Sequence, residues 1–125
     1  MKLGIIVGKQ FQESFDKLLK SKGVPSSQLF KLKSAAKTVQ AQLEIFNDLR
    51  KQIIDEVSEK DAQGKMVMHS EGSVKIQADK IDEAQKRLND LDAIDVILPG
   101  IKVSDLGKEL ELTAIDLLAL EFLVE

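Results

Sequence analysis

Between residues 26 and 60, Leu29, Leu32, Ala36, Val39, Leu43, Phe46, Ile53 and Val57 recur at helical spacing, with Arg50 in the one wide gap. Such steps of three and four put every one of these side chains on a single side of a helix, and nothing else in the chain limits the fold as much. At about 1.5 Å per residue a helix of this length runs about 50 Å, longer than a compact domain of this size is wide. Its apolar seam must therefore be covered by other helices of the chain or by another molecule. The seam follows a seven-residue repeat, the register of a coiled coil, and Arg50 is the only break in it. An arginine there either packs its stem and carries its charge out to water, which is the expectation, or pairs with a buried carboxylate. Ile45, Leu49 and Ile54 broaden the seam, which favours covering by several helices of the same chain over a bare two-stranded coil.

The chain has 125 residues, one domain by size, and its 43% hydrophobic content is enough to bury a core. It has no cysteine, so disulfides, thiolate metal sites and thiol catalysis are excluded. Aromatic side chains are limited to five Phe, without Trp or Tyr, so aliphatic packing dominates. The apolar run Leu3 to Val7 is too short for a signal peptide or a membrane span, and the expectation is a protein that is neither secreted nor membrane-bound. Charge is unevenly divided. Residues 1–60 hold eleven Lys and Arg against seven Asp and Glu, net +4, whereas residues 61–125 hold seven against fourteen, net −7. Lys31, Lys33 and Lys37 form a basic face on the long helix, either a solvated surface or a place to meet phosphate.

Met1 to Val7 reads as a short strand, and Gly8 to about Ser21 as a helix stopped by Gly23. Ser26 and Ser27 after Pro25 supply a helix cap. The long helix is expected over about 26–60, followed by a β-hairpin over about 66–77, where Met66, Met68, Val74 and Ile76 alternate with Val67, His69, Lys75 and Gln77. Asp79, with Asp82 three positions on, caps a second helix over about 79–92 that returns antiparallel along the first. Ile94 to Leu98 reads as a strand ended by Pro99-Gly100. Thr113 and Asp116 form a capping box for a C-terminal helix over about 113–124, so apolar that it is expected to be buried almost all round. No internal repeat is evident. The expected fold is one mainly α, α+β domain over 1–125: a helical hairpin, a small antiparallel sheet and a buried C-terminal helix.

No catalytic, cofactor or metal site emerges. Gly4, Gly8 and Lys9 resemble a phosphate-binding loop, but only three residues separate the glycines and Gln10 stands where Ser or Thr is needed. His69 is the only histidine and falls at a polar turn. The acidic residues from Asp79 to Asp95 lack the ligand spacing of a calcium loop. Leu29, Leu32, Val39, Leu43, Phe46, Arg50, Ile53, Leu118 and Phe122 are the candidate contact residues for a protein partner or a second copy. Nucleic-acid contact through the basic face is the alternative, and no small-molecule substrate is implied.

The long helix, the turn Glu59-Lys60-Asp61-Ala62-Gln63-Gly64-Lys65, a second helix, then Asp95-Val96-Ile97 through Val103, Leu106 and Leu112 to a Leu-rich end resemble short helical proteins of tailed bacteriophages. The resemblance covers the chain from about residue 26 onward and rests on element order and the KDxxGK turn. It implies a non-enzymatic protein of the virion or the host cytoplasm, acting by contact with other proteins in virion assembly or as an inhibitor of a host protein. It assigns no active residues.

Overall fold

The computed structural model describes residues 1–107 and 110–124. It is mainly helical: α1 (Leu3–Ile6), α2 (Lys9–Leu19), α3 (Ser26–Val57), α4 (Ile81–Asp92) and α5 (Ala114–Ala119), with a parallel pair of two-residue strands, β1 (Ile101–Lys102) and β2 (Leu123–Val124).

The seam of α3 is covered from within the chain. Leu32, Ala35, Val39, Phe46, Ile53 and Val57 are buried. All of these but Val57 share one core cluster with α1 and α2 side chains such as Ile6, Phe11 and Leu18, and with Leu91 of α4. Arg87 of α4 pairs with Glu56 at 2.7 Å, and this guanidinium, helped by Gln52, holds the Glu56 carboxyl below the usual carboxylate range. α3 starts without a serine cap: Pro25 occupies the cap position, and its carbonyl accepts from the amides of Gln28 and Leu29 at 3.0 and 2.9 Å. Asp79 likewise caps nothing. It lies in a 3-10 turn, Ala78–Lys80, and Lys80 precedes α4.

The N-terminal run expected as a strand is helical, because tertiary contacts decide a run too short to show a period. Leu3 N–H donates to the Ile94 carbonyl at 2.7 Å and Val96 N–H to that of Met1 at 2.8 Å, which sets Leu3 and Ile6 into the core. Gly4 allows this approach, since a Cβ there would lie 2.9 Å from Asp92 Cβ. Residues 94–98 form no strand, only a single antiparallel bridge between Asp95 and Lys2. The small sheet is therefore parallel, where an antiparallel one was expected.

Residues 58–77 hold the largest departure. The hairpin expected over 66–77 is reduced to one antiparallel bridge, Met68 with Val74, inside a larger array of three short extended pieces that close on one another: Lys60 bridges Met66, and Ile76 bridges back to Ser58. Val67 N–H donates to Glu59, Lys75 N–H to Val67, and Glu59 N–H to Lys75, each at 2.8 Å, so the central amides form a closed ring. The three ring members are eight residues apart. The turns repeat at the same interval, with Gly64, Gly72 and Lys80 donating to the carbonyls of Asp61, His69 and Gln77. An eight-residue internal repeat thus exists where none was read. Gly64 and Gly72, at φ 77° and 92°, supply the left-handed residue of its first two turns.

The C-terminal helix is half the expected length. It stops at Ala119 because Leu120 turns into the core and Phe122 joins Phe11 and Phe15, after which Leu123 pairs with Ile101. The Phe11 and Phe15 rings stack with centroids 5.5 Å apart, and Phe122 meets Phe15 edge-on at 5.7 Å.

Candidate interaction surface

α5 begins at the capping box read from its sequence: the Thr113 hydroxyl accepts from the Asp116 amide, and the Asp116 carboxylate accepts from the Thr113 amide. Asp116 does more than cap. Its side chain is buried, and it receives the Ser14 hydroxyl at 2.7 Å and the Lys17 ammonium at 3.0 Å, both from α2. These donors, Ser14 first, then the Thr113 amide and Lys17, hold the carboxyl well below its ordinary range despite the opposing effect of burial. The cluster of serine, lysine and carboxylate is an anchor: Ser14 is fully buried, so no substrate reaches its hydroxyl.

Fixing Asp116 inward fixes what faces out. Ile115 is 62% exposed and Leu118 78%, one turn apart on the opposite side of the helix. A six-residue helix with an anchored inner side and an apolar outer ridge replaces the helix expected to be buried all round. Glu111 and Glu121 are exposed on either side of it in sequence.

Of the other candidate contact residues, Leu32, Val39, Phe46, Ile53 and Phe122 are buried in the protein's own core, and Leu29 and Leu43 pack half-buried against it. The first five are taken up by the fold, while Leu29 and Leu43 keep part of their surface in water. Arg50 is exposed, with its charge in water as the seam register requires. Phe30, which the seam reading passed over because it lies off the apolar side of α3, is 75% exposed. Its signal in the sequence was its place on the helix: the residues three and four positions away are Ser26, Ser27, Lys33 and Ser34, all polar.

The basic face divides. At about 100° per residue, Lys31 lies about 160° around the helix from Lys33. Lys33 and Lys37 share one stripe with Ala36, Gln40, Ala41 and Glu44, which line an open groove of about 420 Å³. His69 is exposed at the second turn of the triangle of extended pieces in 58–77, where its backbone N–H donates to the Ser73 carbonyl. Among the described residues, no group of three or more His, Cys, Asp or Glu is placed to hold a metal ion. None of the described helices is long and apolar enough to cross a membrane.

No protein family, curated protein or solved structure matches this chain.

The anchor makes stability depend on pH in a defined direction. The folded carboxyl of Asp116 has a depressed pKa, so its contribution is complete above the pH at which an unfolded aspartate ionises, about 3.9, and falls away as the pH drops below that toward the folded value. Asp116→Asn should lower the melting temperature at neutral pH. The gap between wild type and variant should narrow steadily below about pH 4, as thermal melts at a series of pH values will report.

Proposed function

We propose that this chain is a non-catalytic protein that works by holding another polypeptide on the outer ridge of α5. The observation that carries this reading is the contrast within one helix: Asp116 is tied inward by Ser14, Lys17 and Thr113, while Ile115 and Leu118 stand in water on the other side. An exposed aliphatic pair on a rigidly anchored element is what a contact surface requires. A virion assembly or accessory role agrees with the resemblance to short tailed-phage proteins.

The test is recovery of a bound polypeptide, of this chain or another, from cells in which the tagged protein and its phage are produced together. Wild type should retain such a partner, and Leu118→Glu should weaken retention by about tenfold or more, the loss caused by removing one well-packed apolar anchor. Recovery unchanged by Leu118→Glu, or no partner for either protein, would overturn the reading. Presence of the chain in purified particles would place it in the virion; its absence, with a host polypeptide held on α5, would make it an inhibitor of that host protein.

A further inference from the structure

We infer that the occupant of the α5 ridge is a second copy of this chain, docked head to tail, with Ile115 and Leu118 of one copy lying in the α3 groove of the next. The inference rests on the reading of α5 as a docking surface and names its partner.

Shape is the first argument. Lys33, Ala36, Lys37, Gln40, Ala41 and Glu44 follow one stripe of α3 at steps of three and four. The short side chains of Ala36 and Ala41 leave a dip between longer neighbours, the kind of groove into which the ridge of another helix settles. Phe30 lies on the same side of α3, three residues before Lys33, and its exposed ring extends the apolar surface at the N-terminal end of the groove.

Charge is the second argument, and it chooses the geometry. At the groove Lys33 and Lys37 outweigh Glu44, whereas the exposed charges on either side of α5 in sequence, Glu111 and Glu121, are both acidic. Glu111 and Glu121 flank the exposed ridge, and Lys33 and Lys37 are exposed at the groove. Two α5 ridges brought face to face would set acid against acid, and two grooves, each lined by Lys33 and Lys37 against the single Glu44, would set net positive against net positive. Ridge in groove joins opposite signs. Because the two surfaces are different, two copies joined by a single contact leave one ridge and one groove unfilled, so the series grows or closes into a ring, the smallest being a pair in which each ridge fills the other's groove.

This predicts an experiment with a distinctive result. By light scattering coupled to size exclusion, the wild type should exceed the monomer mass as concentration rises, and less so in 1 M salt, where the Debye length falls to about 3 Å. Leu118→Glu loses the ridge and Lys33→Glu/Lys37→Glu loses the groove, so each alone should be monomeric at the same concentration. Mixed one to one, they should form a species of two copies and no more, since the first supplies an intact groove and the second an intact ridge. All three substituted residues are exposed, so the fold should persist, with helical circular dichroism and melting close to wild type. Should Leu118→Glu fail that control, Ile115→Glu takes its place in the same mixture. A wild type that remains monomeric throughout, self-association insensitive to Lys33→Glu/Lys37→Glu, or a mixture in which both variants stay monomeric would overturn the inference. A monomeric chain that still binds a foreign polypeptide in a Leu118-dependent way would overturn the head-to-tail contact alone and leave the function proposed for α5 standing.

Discussion

Replacing Phe122 by alanine should cost about 3–5 kcal/mol of folding stability, the usual loss when a buried aromatic is truncated. Phe122 is buried against two other rings, with centroid distances of 5.7 Å to Phe15 and 6.4 Å to Phe11, and its carbonyl accepts the Ile101 amide at 3.1 Å. Truncation leaves a cavity between α2 and the C-terminal segment, and it removes the edge-on contact that orients the Phe15 ring. The damage should be local as well as global. β2 is only two residues long and pairs with β1 next to this ring, so the amide of Ile101 should exchange with solvent sooner than those of the central turns of α3. Denaturant unfolding measures the first effect and hydrogen exchange the second. A loss below about 1 kcal/mol would mean that the aromatic cluster is not part of the core.

Gly107→Ala should be the most damaging glycine substitution. Gly107 has φ 91°, in the left-handed region, and an added Cβ would lie 2.8 Å from the carbonyl oxygen of Gly23. The backbone conformation alone costs about 1–3 kcal/mol for a residue with a side chain. The clash is with backbone rather than with a flexible side chain, so the turn after α2 has to move. Gly72→Ala provides the internal comparison: φ is 92°, yet nothing lies within 4 Å of the added carbon. That variant should lose only the conformational part, and the difference between the two melting curves measures how tightly the Gly23 turn and Gly107 are packed.

The legible parts of this fold were those with a long period. The seam of α3 repeats over more than four heptads, enough for local pattern and tertiary packing to agree, and the helix ends only three residues short of the expected 60 because Ser58 enters the triangle. The capping box of α5 was equally visible, since Thr113 and Asp116 act through neighbouring backbone. Its length was not. A run apolar on every side carries no period, and Leu120 and Phe122 leave the helix for contacts with residues about a hundred positions earlier, which no local pattern reports. Leu3 to Ile6 failed for the same reason, as four apolar residues fit a strand or a turn of helix equally well. The eight-residue triangle was hidden because its equivalent positions, Glu59, Val67 and Lys75, share no chemistry. Only Gly64 and Gly72 repeat visibly, and Lys80 fills the third place. At the candidate surface, Leu118 was named from the sequence, whereas the groove of α3 was not, since of its lining only Ala36 belongs to the seam and the others lie beside it.

The closed ring of amides in residues 58–77 has one further consequence. Met-Val-Met and Val-Lys-Ile are segments that, in an open sheet, would present unpaired amides and carbonyls to any passing extended chain and so seed fibrous aggregates. Each of the three pieces here is bonded to both of its neighbours, as in a miniature barrel, so the array has no border strand to which another molecule can add. This segment can therefore carry two solvent-facing methionines without the edge prolines or inward charges that an exposed β-edge demands.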